Sequence, residues 1–482
     1  MHKDIIVIGA GISGIAAGYN FKKSCPNKSF LILESRNNIG GTWDLFKYPG
    51  IRSDSDMHTL GYRFKPWIHD KSIADGASIL EYLHETIDEN NLMESIQLNS
   101  EVTDANWNSN TSAWELKIEG KNSVKNMTCS FLFLCGGYYS YKDPYVPTFR
   151  KQELFKGQIV HPQFWSKEID YKNKKIAIIG SGATAMTIAP AISKNAKHVV
   201  MIQRSPTYVV SRPSKDQINE KLQKVFSKKI SYFLTRWKNI LWQSYSFFMA
   251  KKYPIKTKKK ILDLIRNELD SNFNVDKHFG PKYKPWDQRV CLLPDGDLFK
   301  AINEKEVSIV TDTINEFQDN GVLLNSGKKI EADIIITATG IKLNALNDIN
   351  VTIDDAKVLP EEKLTYKGMM LSEVPNLAIS FGYINASWTL RADLTCEYVC
   401  KLINLMDKKG VNCCKPIKDE TAYGNDNLLD YSSGYIKRGL KMMPKQGTKA
   451  PWKNYQNYLK DIINVRLLSV DDPNLSFYST KK

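Results

Sequence analysis

Short apolar runs, glycine-rich turns and alanine- or isoleucine-rich segments follow one another twice in the same order. The run 5–8 precedes Gly9-Ala10-Gly11-Ile12-Ser13-Gly14, and the run 176–179 precedes Gly180-Ser181-Gly182-Ala183-Thr184-Ala185. A helix-forming segment and a second apolar run, at 30–33 and 198–203, come after each turn. A strand, a glycine-rich turn, a helix and a second strand are the parts of a βαβ unit in a parallel sheet. The pattern therefore predicts an α/β fold with two Rossmann-like, dinucleotide-binding domains.

The residue that ends the second apolar run has opposite charge in the two units. Glu34 ends the first, and Arg204, followed by Ser205, ends the second. A carboxylate here accepts a hydrogen bond from a free ribose 2′-hydroxyl and repels a 2′-phosphate, whereas an arginine binds that phosphate. We therefore expect FAD or NAD at the first unit and NADPH at the second, which together predict a flavoprotein oxidoreductase. Each residue taken alone is also compatible with a solvated charge that closes a strand.

The same arrangement predicts the nucleotide contacts. The glycines let the backbone approach a pyrophosphate, which rests on the N-terminus of the following helix. The predicted cofactor-binding residues are Gly9, Gly11, Ser13, Gly14 and Glu34 in the first unit, and Gly180, Gly182, Ala183, Thr184, Ala185, Arg204 and Ser205 in the second.

Two further apolar segments, 130–137 and 333–340, end in glycine and mark the expected crossings between the domains. We predict a first part of the FAD-binding domain at 1–145, a linker at 146–173 and an NADPH-binding domain at 174–335. Residues 336–482 then complete the FAD-binding domain and form a C-terminal region. The FAD-binding domain is thus expected to be discontinuous in sequence.

A basic and aromatic stretch at about 215–285 interrupts the second unit, and we predict a helical insertion there. Within residues 230–250 lie Tyr232, Phe233, Trp237, Trp242, Tyr245, Phe247 and Phe248, with Arg236 and Lys238 between them. Two interpretations stay open and can coexist. One is a lid over the active site with core-facing aromatic side chains. The other is an interfacial helix on anionic lipid, which predicts peripheral membrane contact through residues 222–260.

Composition and charge limit the classes of protein to which this chain can belong. The chain has 482 residues, 42% of them hydrophobic and 25% charged, which is ordinary for two or three globular domains. Its net charge of +15 favours anionic partners, such as a dinucleotide phosphate or an anionic membrane face. No nucleic-acid-binding motif accompanies that charge, so no nucleic-acid partner is expected. No apolar stretch is long enough to span a bilayer.

The eight cysteines lack the spacing of a disulfide framework. Cys396, Cys400, Cys413 and Cys414 have no histidine nearby, so we expect no metal site and interpret them as buried, reduced thiols. Reduced thiols indicate a cytoplasmic protein, either free or held by the basic stretch at the inner face of the cell membrane.

The segment between the two units resembles a known family fingerprint. Phe155-Lys156-Gly157-Gln158-Ile159-Val160-His161-Pro162-Gln163-Phe164-Trp165 is similar to the FxGxxxHxxxW motif of Baeyer–Villiger monooxygenases, with Ser166 where the family has Pro or Asp. Gly40-Gly41-Thr42-Trp43, residues 48–54 and Ala338-Thr339-Gly340 resemble the same family. The branch of ethionamide-activating, FAD-containing monooxygenases is the most similar. That likeness runs through 48–67, 284–289, 382–400, 444–447 and 450–452, and covers essentially the full length except the helical stretch.

The resemblance implies an NADPH-dependent monooxygenase of the Baeyer–Villiger type. In that family NADPH reduces FAD, dioxygen adds to the flavin C4a carbon, and the resulting peroxide inserts oxygen into a ketone to give an ester or lactone. The implied partners are dioxygen and a small hydrophobic ketone, or a sulfur-containing substrate such as a thioamide or thioether. An N- or S-hydroxylating flavin monooxygenase, an uncoupled NADPH oxidase and a membrane-bound scaffold without turnover stay open as alternatives.

The resemblance also assigns catalytic roles. Arg289 matches the family's active-site arginine, and Asp54 matches the carboxylate that positions it. Without the resemblance, the two would be interpreted as a plain interdomain ion pair. Gln288 stands where many relatives carry a lysine that binds the NADPH phosphate.

The remaining roles implied by the resemblance concern the cofactors and the linker. Gly157, His161 and Trp165 match the linker whose position is coupled to nucleotide binding in the family. Trp388 either reaches the substrate pocket or packs in the core. Further cofactor contacts are expected at Gly41, Thr42, Trp43, Asp54, Val102, Thr339 and Gly340.

Overall fold

Strands and helices alternate along the chain, as a doubly wound α/β protein requires. The computed structural model describes residues 1–121, 123–422, 424, 426–428 and 431–479. The strands are β1 His2–Ile8, β2 Phe30–Leu33, β3 Ile96–Gln97, β4 Glu101–Asn108, β5 Ala113–Glu119, β6 Val124–Leu134, β7 Gln158–Val160, β8 Lys175–Ile179, β9 His198–Gln203, β10 Val209–Arg212, β11 Cys291–Pro294, β12 Val307–Thr311, β13 Ile314–Gln318, β14 Gly321–Leu324, β15 Lys329–Glu331, β16 Ile334–Thr337, β17 Asn350–Ile353, β18 Ala356–Lys357, β19 Thr365–Tyr366, β20 Met370–Leu371, β21 Leu377–Ile379, β22 Cys413–Pro416 and β23 Leu475–Tyr478. The α-helices are α1 Ile12–Ser24, α2 Thr42–Leu45, α3 Met57–Leu60, α4 Gly76–Glu89, α5 Ala183–Ser193, α6 Gln217–Gln223, α7 Lys228–Lys252, α8 Pro254–Arg266, α9 Val275–Phe279, α10 Asp297–Asn303, α11 Trp388–Lys409, α12 Gly434–Gly439 and α13 Tyr458–Ile462.

The first sheet is built from both ends of the chain. Its order is β18-β17-β4-β5-β6-β1-β2-β3, and β21 also pairs with β6. In one half of the sheet, β6, β1, β2 and β3 are parallel. In the other half, β4, β5 and β6 form an antiparallel meander, so β6 belongs to both halves. Because β17, β18 and β21 follow the second sheet in sequence, the chain returns to the first domain, as predicted.

The second sheet is fully parallel, in the order β12-β9-β8-β16-β7. Helix α5 connects β8 to β9 and packs against the sheet through its apolar residues. The sheet edge is formed by β7, which belongs to the predicted linker 146–173 and pairs with β16. The two sheets confirm the predicted α/β fold with two Rossmann-like domains.

The helical insertion leaves and rejoins the second domain at neighbouring strands. Helices α6 to α9 lie between β10 and β11, and these two strands pair in parallel. The hydroxyl of Ser227 accepts a hydrogen bond from the Ile230 N–H and so caps the start of α7. Pro254 follows its end and begins α8. None of the helices in the described ranges is long and apolar enough to cross a bilayer.

Helix α11 packs against α1 below the first sheet and carries much of the core there. Cys396 and Cys400 lie on this helix, and Cys413 and Cys414 lie on β22; all eight cysteines are buried. Within the part of the chain that the structure describes, no group of histidine, cysteine, aspartate and glutamate is arranged to hold a metal ion.

Candidate active site

A cleft between the two sheets is lined by both glycine-rich loops. Gly11 and Ser13 come from the first loop, and Ala183 and Thr184 come from the start of α5. The cavity volume within the cleft is about 270 Å³. A second pocket adjoins it and shares Gly11, Gly41 and Gly136 with it.

The first loop depends on two glycines for its shape. Gly9 has a φ of +98°, and a Cβ atom there would lie 3.0 Å from the Cα of Gly136 at the end of β6. A Cβ atom on Gly14 would overlap the carbonyl oxygen of Gly9. The loop therefore passes close to β6 on one side and to its own helix on the other, which leaves its outer side open toward the cleft.

Both loops present uncapped helix N-termini. Gly11 precedes α1 and Gly182 precedes α5, and neither helix has a side-chain cap. By contrast, aspartate side chains cap α3, α4 and α6. No atom lies within 4 Å of a Cβ built on Gly182. Unpaired N–H groups at two open helix ends fit the phosphate oxygens of two dinucleotides.

Glu34 lies in the wall of the adjoining pocket, together with Gly9 and Val102. Its side chain is buried, and its carboxylate accepts hydrogen bonds from the Ala10 N–H at 2.7 Å and the Arg36 N–H at 3.0 Å. Burial raises the pKa of Glu34 above its ordinary value, because desolvation outweighs these hydrogen bonds. The carboxylate is thus tied to the first loop, where a ribose hydroxyl of a bound dinucleotide would reach it.

Arg204 lies at the end of β9 and is exposed, as is Ser205. The Ser181 hydroxyl, in the second loop, donates to the Ser205 carbonyl oxygen at 2.9 Å and lies 3.1 Å from the Thr207 hydroxyl. Among the described residues, Arg204 has no ion-pair partner. The turn that carries Arg204 is therefore fixed to the second loop, while its guanidinium stays available to an anion.

The other predicted cofactor contacts are placed by strand ends and short helices. Gly41, Thr42 and Trp43 line the cleft at the start of α2, and the Thr42 hydroxyl lies 3.3 Å from the Tyr141 hydroxyl. Thr339 and Gly340 follow β16, and the Thr339 hydroxyl donates to the Tyr145 carbonyl oxygen at 3.3 Å. Ala185 is buried in α5, and Gly180 packs against the backbone of Ala338.

Arg289 and Asp54 form a two-pronged ion pair within the cleft. Arg289 Nε lies 2.8 Å from Asp54 Oδ2, and Arg289 Nη2 donates to Asp54 Oδ1 at 3.1 Å. Arg289 lies two residues before β11, and Asp54 lies three residues before α3. Burial disfavours the charged guanidinium, but Asp54 and neighbouring tyrosines outweigh this effect and raise the pKa of Arg289. The guanidinium consequently remains charged at any physiological pH.

Aromatic side chains surround this ion pair. Tyr138 and Tyr139 line the cleft with Trp388, and Tyr435 also lies close enough to influence Arg289. Burial raises the pKa of Tyr138, Tyr139 and Tyr435, so these phenols are neutral hydrogen-bonding groups. Large neutral side chains therefore border the ion pair, while 35% of the Arg289 side chain and 31% of the Asp54 side chain stay exposed.

Trp388 connects the C-terminal part of the chain to the first loop. Its indole N–H donates to the Ser13 hydroxyl at 2.8 Å, and its ring lies 5.2 Å from the Tyr138 ring. Trp388 lines the cleft at the start of α11 and is only partly buried. Trp388 therefore both lines the cleft and packs against the core residues beside the cleft.

The linker residues lie outside the cleft lining. His161 caps a short 3₁₀ turn by accepting from the Gln163 N–H at 3.2 Å, and burial lowers its pKa. Gly157 packs against Phe155 and the backbone of Asp333, and Trp165 packs beside Tyr171. The geometry gives these residues packing and turn-forming contacts with the second domain.

Several cleft residues were not predicted from the sequence as site residues. These are Tyr48, Tyr138, Tyr139, Tyr141, Tyr383 and Cys291. Tyr138 to Tyr141 follow the glycines that end β6, and ligands of parallel sheets bind beyond the carboxyl ends of the strands. That position is a signal which the sequence contains, whereas Cys291 and Tyr383 reach the cleft only through the tertiary fold.

The helical insertion contributes no residue to the lining of the cleft. Most aromatic side chains of α7 do not face the core: Trp237, Trp242, Tyr245 and Phe248 are exposed, and Tyr232 is buried. Phe233 packs against the core and Phe247 contacts Trp286, so the expectation of core-facing aromatic residues holds for Tyr232, Phe233 and Phe247 but is wrong for the four exposed ones.

Comparison with known proteins identifies related chains over the full length. A family model described as "Flavin-binding monooxygenase-like" matches residues 2–387. The FAD-containing monooxygenase EthA of Mycobacterium tuberculosis is 46% identical over 477 residues, covering 99% of this chain and 98% of the relative. The probable FAD-binding monooxygenase AlmA of Acinetobacter baylyi is 44% identical over 479 residues, covering 99% of this chain and 96% of the relative.

Solved structures show the same fold at low sequence identity. An oxidized steroid monooxygenase bound to NADP has a TM-score of 0.79 at 20% identity, covering 99% of this chain and all of the other. A cyclohexanone monooxygenase with bound ε-caprolactone has a TM-score of 0.77 at 17% identity, covering 99% of each chain.

Proposed function

The chain belongs to the flavin-binding monooxygenase-like family, and from this premise we propose that it uses FAD and NADPH to insert one oxygen atom of dioxygen into small hydrophobic ketones, forming esters or lactones. The observation that carries the proposal is the Arg289–Asp54 ion pair in the cleft between the two glycine-rich loops. A hydroxylase of the alternative kind needs a proton on the reacting oxygen. A guanidinium cannot donate that proton, because it retains its protons at physiological pH.

The residues of the two loops fit the two cofactors. The open N-terminus of α1 would hold the FAD pyrophosphate, with Glu34 at the adenosine ribose and Gly41 to Trp43 along the cleft. The open N-terminus of α5 would hold the NADPH pyrophosphate, with Arg204 at the 2′-phosphate and Thr339 and Gly340 nearby. When bound, the flavin supplies the activation of dioxygen with electrons taken from NADPH.

Arg289 supplies a fixed positive charge where oxygen transfer develops negative charge. Asp54 holds the guanidinium through two contacts, so little reorganisation is needed at the moment of reaction. A preorganised donor of this kind lowers a transition-state barrier by about 3 kcal/mol. The surrounding tyrosines and Trp388 border the ion pair, so that part of it is removed from the water that would screen its charge. We assign Asp54 two roles: it positions Arg289, and it forms part of the cleft wall that would face the flavin.

The linker serves conformational coupling in this proposal. Gly157, His161 and Trp165 contact the second domain, and the 3₁₀ turn capped by His161 lies between β7 and β8 of the second sheet. Because His161 is outside the cleft lining and its pKa is lowered, we assign it no proton-transfer step.

The direct test is the fate of the electrons from NADPH. Purified, FAD-loaded enzyme is mixed with NADPH and a panel of linear and cyclic ketones plus one thioether, and ester, sulfoxide and hydrogen peroxide are measured together. The proposal predicts ester in step with NADPH consumption for at least one ketone. Sulfoxide without ester would assign the enzyme to heteroatom oxygenation, and hydrogen peroxide with every compound would contradict the proposed reaction.

Arg204 determines the choice of nicotinamide cofactor. Replacement of Arg204 by alanine is expected to lower kcat/KM for NADPH by about 10- to 100-fold, because a charge-assisted contact with the 2′-phosphate is lost. The value for NADH should stay nearly constant, so the NADPH/NADH ratio falls toward one.

The matched control is Arg212→Ala, which removes another exposed arginine of the same domain at the end of β10. This variant should retain the wild-type ratio. A wild-type ratio near one, or equal losses with both cofactors in Arg204→Ala, would contradict the assignment.

A further inference from the structure

Helix α7 turns its polar side toward the protein and its apolar side toward solvent. On the inner side, Arg236 Nη1 donates to the carbonyl oxygens of His58 and Gly61, both at 2.7 Å, and Tyr232 donates to the Tyr62 carbonyl oxygen at 2.9 Å. The outer side carries seven large apolar residues that are 42–57% exposed: Ile230, Leu234, Trp237, Leu241, Trp242, Tyr245 and Phe248. An amphipathic helix of a globular domain normally has the reverse orientation.

The exposed apolar row is bordered by positive charge. Helix α7 contains no aspartate or glutamate, and α8 contains only Asp263. Exposed lysines lie at both ends of the row: Lys228 and Lys229 at the start of α7, and Lys251, Lys252, Lys256, Lys259 and Lys260 beyond Phe248. Lys252 Nζ lies 5.6 Å from the Phe248 ring centroid, so the charge borders the apolar surface directly.

We propose that this row, together with its bordering lysines, docks on the surface of an anionic lipid bilayer. The apolar side chains would enter the boundary between head groups and acyl chains, and the lysines would contact anionic head groups. A second copy of the chain fits the surface poorly, because a two-fold contact would bring the same lysines together without compensating carboxylates.

The inner side of α7 connects this surface to the candidate site. Asn239 and Gln243 donate to the two carboxylate oxygens of Asp56 at 2.8 and 2.9 Å, two residues beyond Asp54. The Phe247 ring lies 5.6 Å from the Trp286 ring, three residues before Arg289. The helix that docks on lipid therefore also holds the two segments that carry the ion pair, close to the place where a hydrophobic substrate would react.

Vesicle sedimentation tests the docking surface. FAD-loaded enzyme is mixed with vesicles of phosphatidylcholine alone or with phosphatidylglycerol added. We expect sedimentation with the anionic vesicles and a fall of at least about tenfold in vesicle affinity for the variant Leu234→Ser/Leu241→Ser/Phe248→Ser. The variant Lys252→Gln/Lys256→Gln/Lys259→Gln should lose the preference for anionic lipid.

The control variant Leu154→Ser/Ile417→Ser/Met93→Ser removes exposed apolar residues elsewhere and should sediment like the wild type. Flavin content and flavin reduction by NADPH verify that each variant is folded. Wild-type enzyme that stays in the supernatant, or an equal loss in the control, would overturn the proposal. A dimer in light scattering that the α7 variant abolishes would instead identify the surface as a contact between copies, which also overturns it.

A second inference concerns Arg438, which lies over the end of β16. Its guanidinium carbon is 3.5 Å from the Tyr145 ring centroid, and Nη2 lies 3.4 Å from the position of a Cβ on Gly340. Within the described ranges, Arg438 has no ion-pair partner, and the charge of Arg204 contributes to lowering its pKa, after burial. Two cations thus lie near the same carboxyl end of the second sheet, and neither forms an ion pair with another described residue.

We infer that Arg438 is a second contact for the NADPH 2′-phosphate, in place of the lysine that this chain lacks at Gln288. This inference rests on the proposed use of NADPH. Stacking on Tyr145 fixes the plane of the Arg438 guanidinium. A guanidinium fixed in this way suits a contact with a phosphate that Arg204 also binds. Arg438 lies on α12, in the C-terminal part of the chain, so the contact would also connect that part to the second domain.

Calorimetric titration of the FAD-loaded enzyme with NADP⁺ and NAD⁺ tests this role. Arg438→Gln should weaken NADP⁺ binding by about tenfold or more and leave NAD⁺ unchanged, whereas its exposed neighbour Lys437→Gln should change neither. Unchanged NADP⁺ affinity in Arg438→Gln, with a loss in Arg204→Ala, would overturn the role of Arg438 alone. Equal affinity of the wild type for both nucleotides would contradict the proposed NADPH preference itself.

Discussion

Replacement of Arg289 by alanine is expected to lower the rate of ester formation by about 10²- to 10³-fold while leaving FAD binding and flavin reduction near wild-type values. The reason is the location of the guanidinium, whose ion pair and hydrogen bond go to Asp54 in the cleft, whereas the FAD pyrophosphate is proposed at the first glycine-rich loop. Removing it takes away stabilisation that is needed only while negative charge develops on the transferring oxygen. Stopped-flow absorbance follows the reduction step, and product analysis follows the oxygenation step.

The conservative variant Arg289→Lys separates charge from geometry. A lysine keeps the charge but cannot make the two-pronged contact with Asp54, so its rate should lie between those of the wild type and Arg289→Ala. Arg266→Ala, which removes an exposed arginine paired with Asp276 in the insertion, is the matched control and should be unaffected. Normal ester formation by Arg289→Ala would exclude the proposed role of Arg289.

Replacement of Gly14 by alanine is expected to abolish stable FAD binding and to lower the free energy of unfolding by about 3 kcal/mol. The added methyl group would overlap the Gly9 carbonyl oxygen, which is backbone and therefore moves only if the whole loop moves. A displaced loop no longer aligns the N–H groups of α1 with a pyrophosphate. The ratio of flavin to protein absorbance and the thermal midpoint of unfolding measure the two effects.

Gly18→Ala is a matched control on the same helix. Its added methyl group would lie 2.9 Å from the Cδ1 atom of Ile32, the mobile end of a side chain that adjusts by rotation. Alanine is also the better helix former, so the unfolding free energy should stay within about 1 kcal/mol of the wild type. If Gly14→Ala binds FAD as well as Gly18→Ala does, the loop does not depend on the close approach described above.

The sequence pattern predicts the nucleotide-binding units well, because each βαβ unit is local. The apolar runs 30–33 and 198–203 coincide with β2 and β9, and the runs 5–8 and 176–179 fall within β1 and β8. The strand alternation, the glycines and the terminal charged residues all lie within about thirty residues of one another, as in other βαβ units.

Contacts between distant segments could not be predicted from local pattern. Arg289 and Asp54 are 235 positions apart, and from the sequence only the family resemblance predicts that they interact. The Trp388–Ser13 hydrogen bond spans 375 positions and joins two distant parts of the first domain.

The sequence also left the orientation of α7 open between a lid that faces the core and a helix that faces lipid. Its periodicity identifies an apolar side but not the surface that the side meets, and the usual assumption places it in the core. Here buried hydrogen bonds from Arg236, Asn239 and Gln243 turn the polar side inward instead. The domain boundaries stay predictions. Strand β7, for example, lies within the predicted linker 146–173 but pairs with β16 in the second sheet.

The return of the chain to the first sheet has a consequence for synthesis on the ribosome. The second sheet has all its strands once Thr337 has emerged, whereas the first still lacks β17 and β21 at that moment. β6 pairs with β5 over its first half, but its end at Leu132–Leu134 is covered on that side only by β21. The later domain in sequence can thus close first. In a nascent chain halted before residue 377, the end of β6 would pair only with β1, and its other edge would be exposed to aggregation and to chaperones.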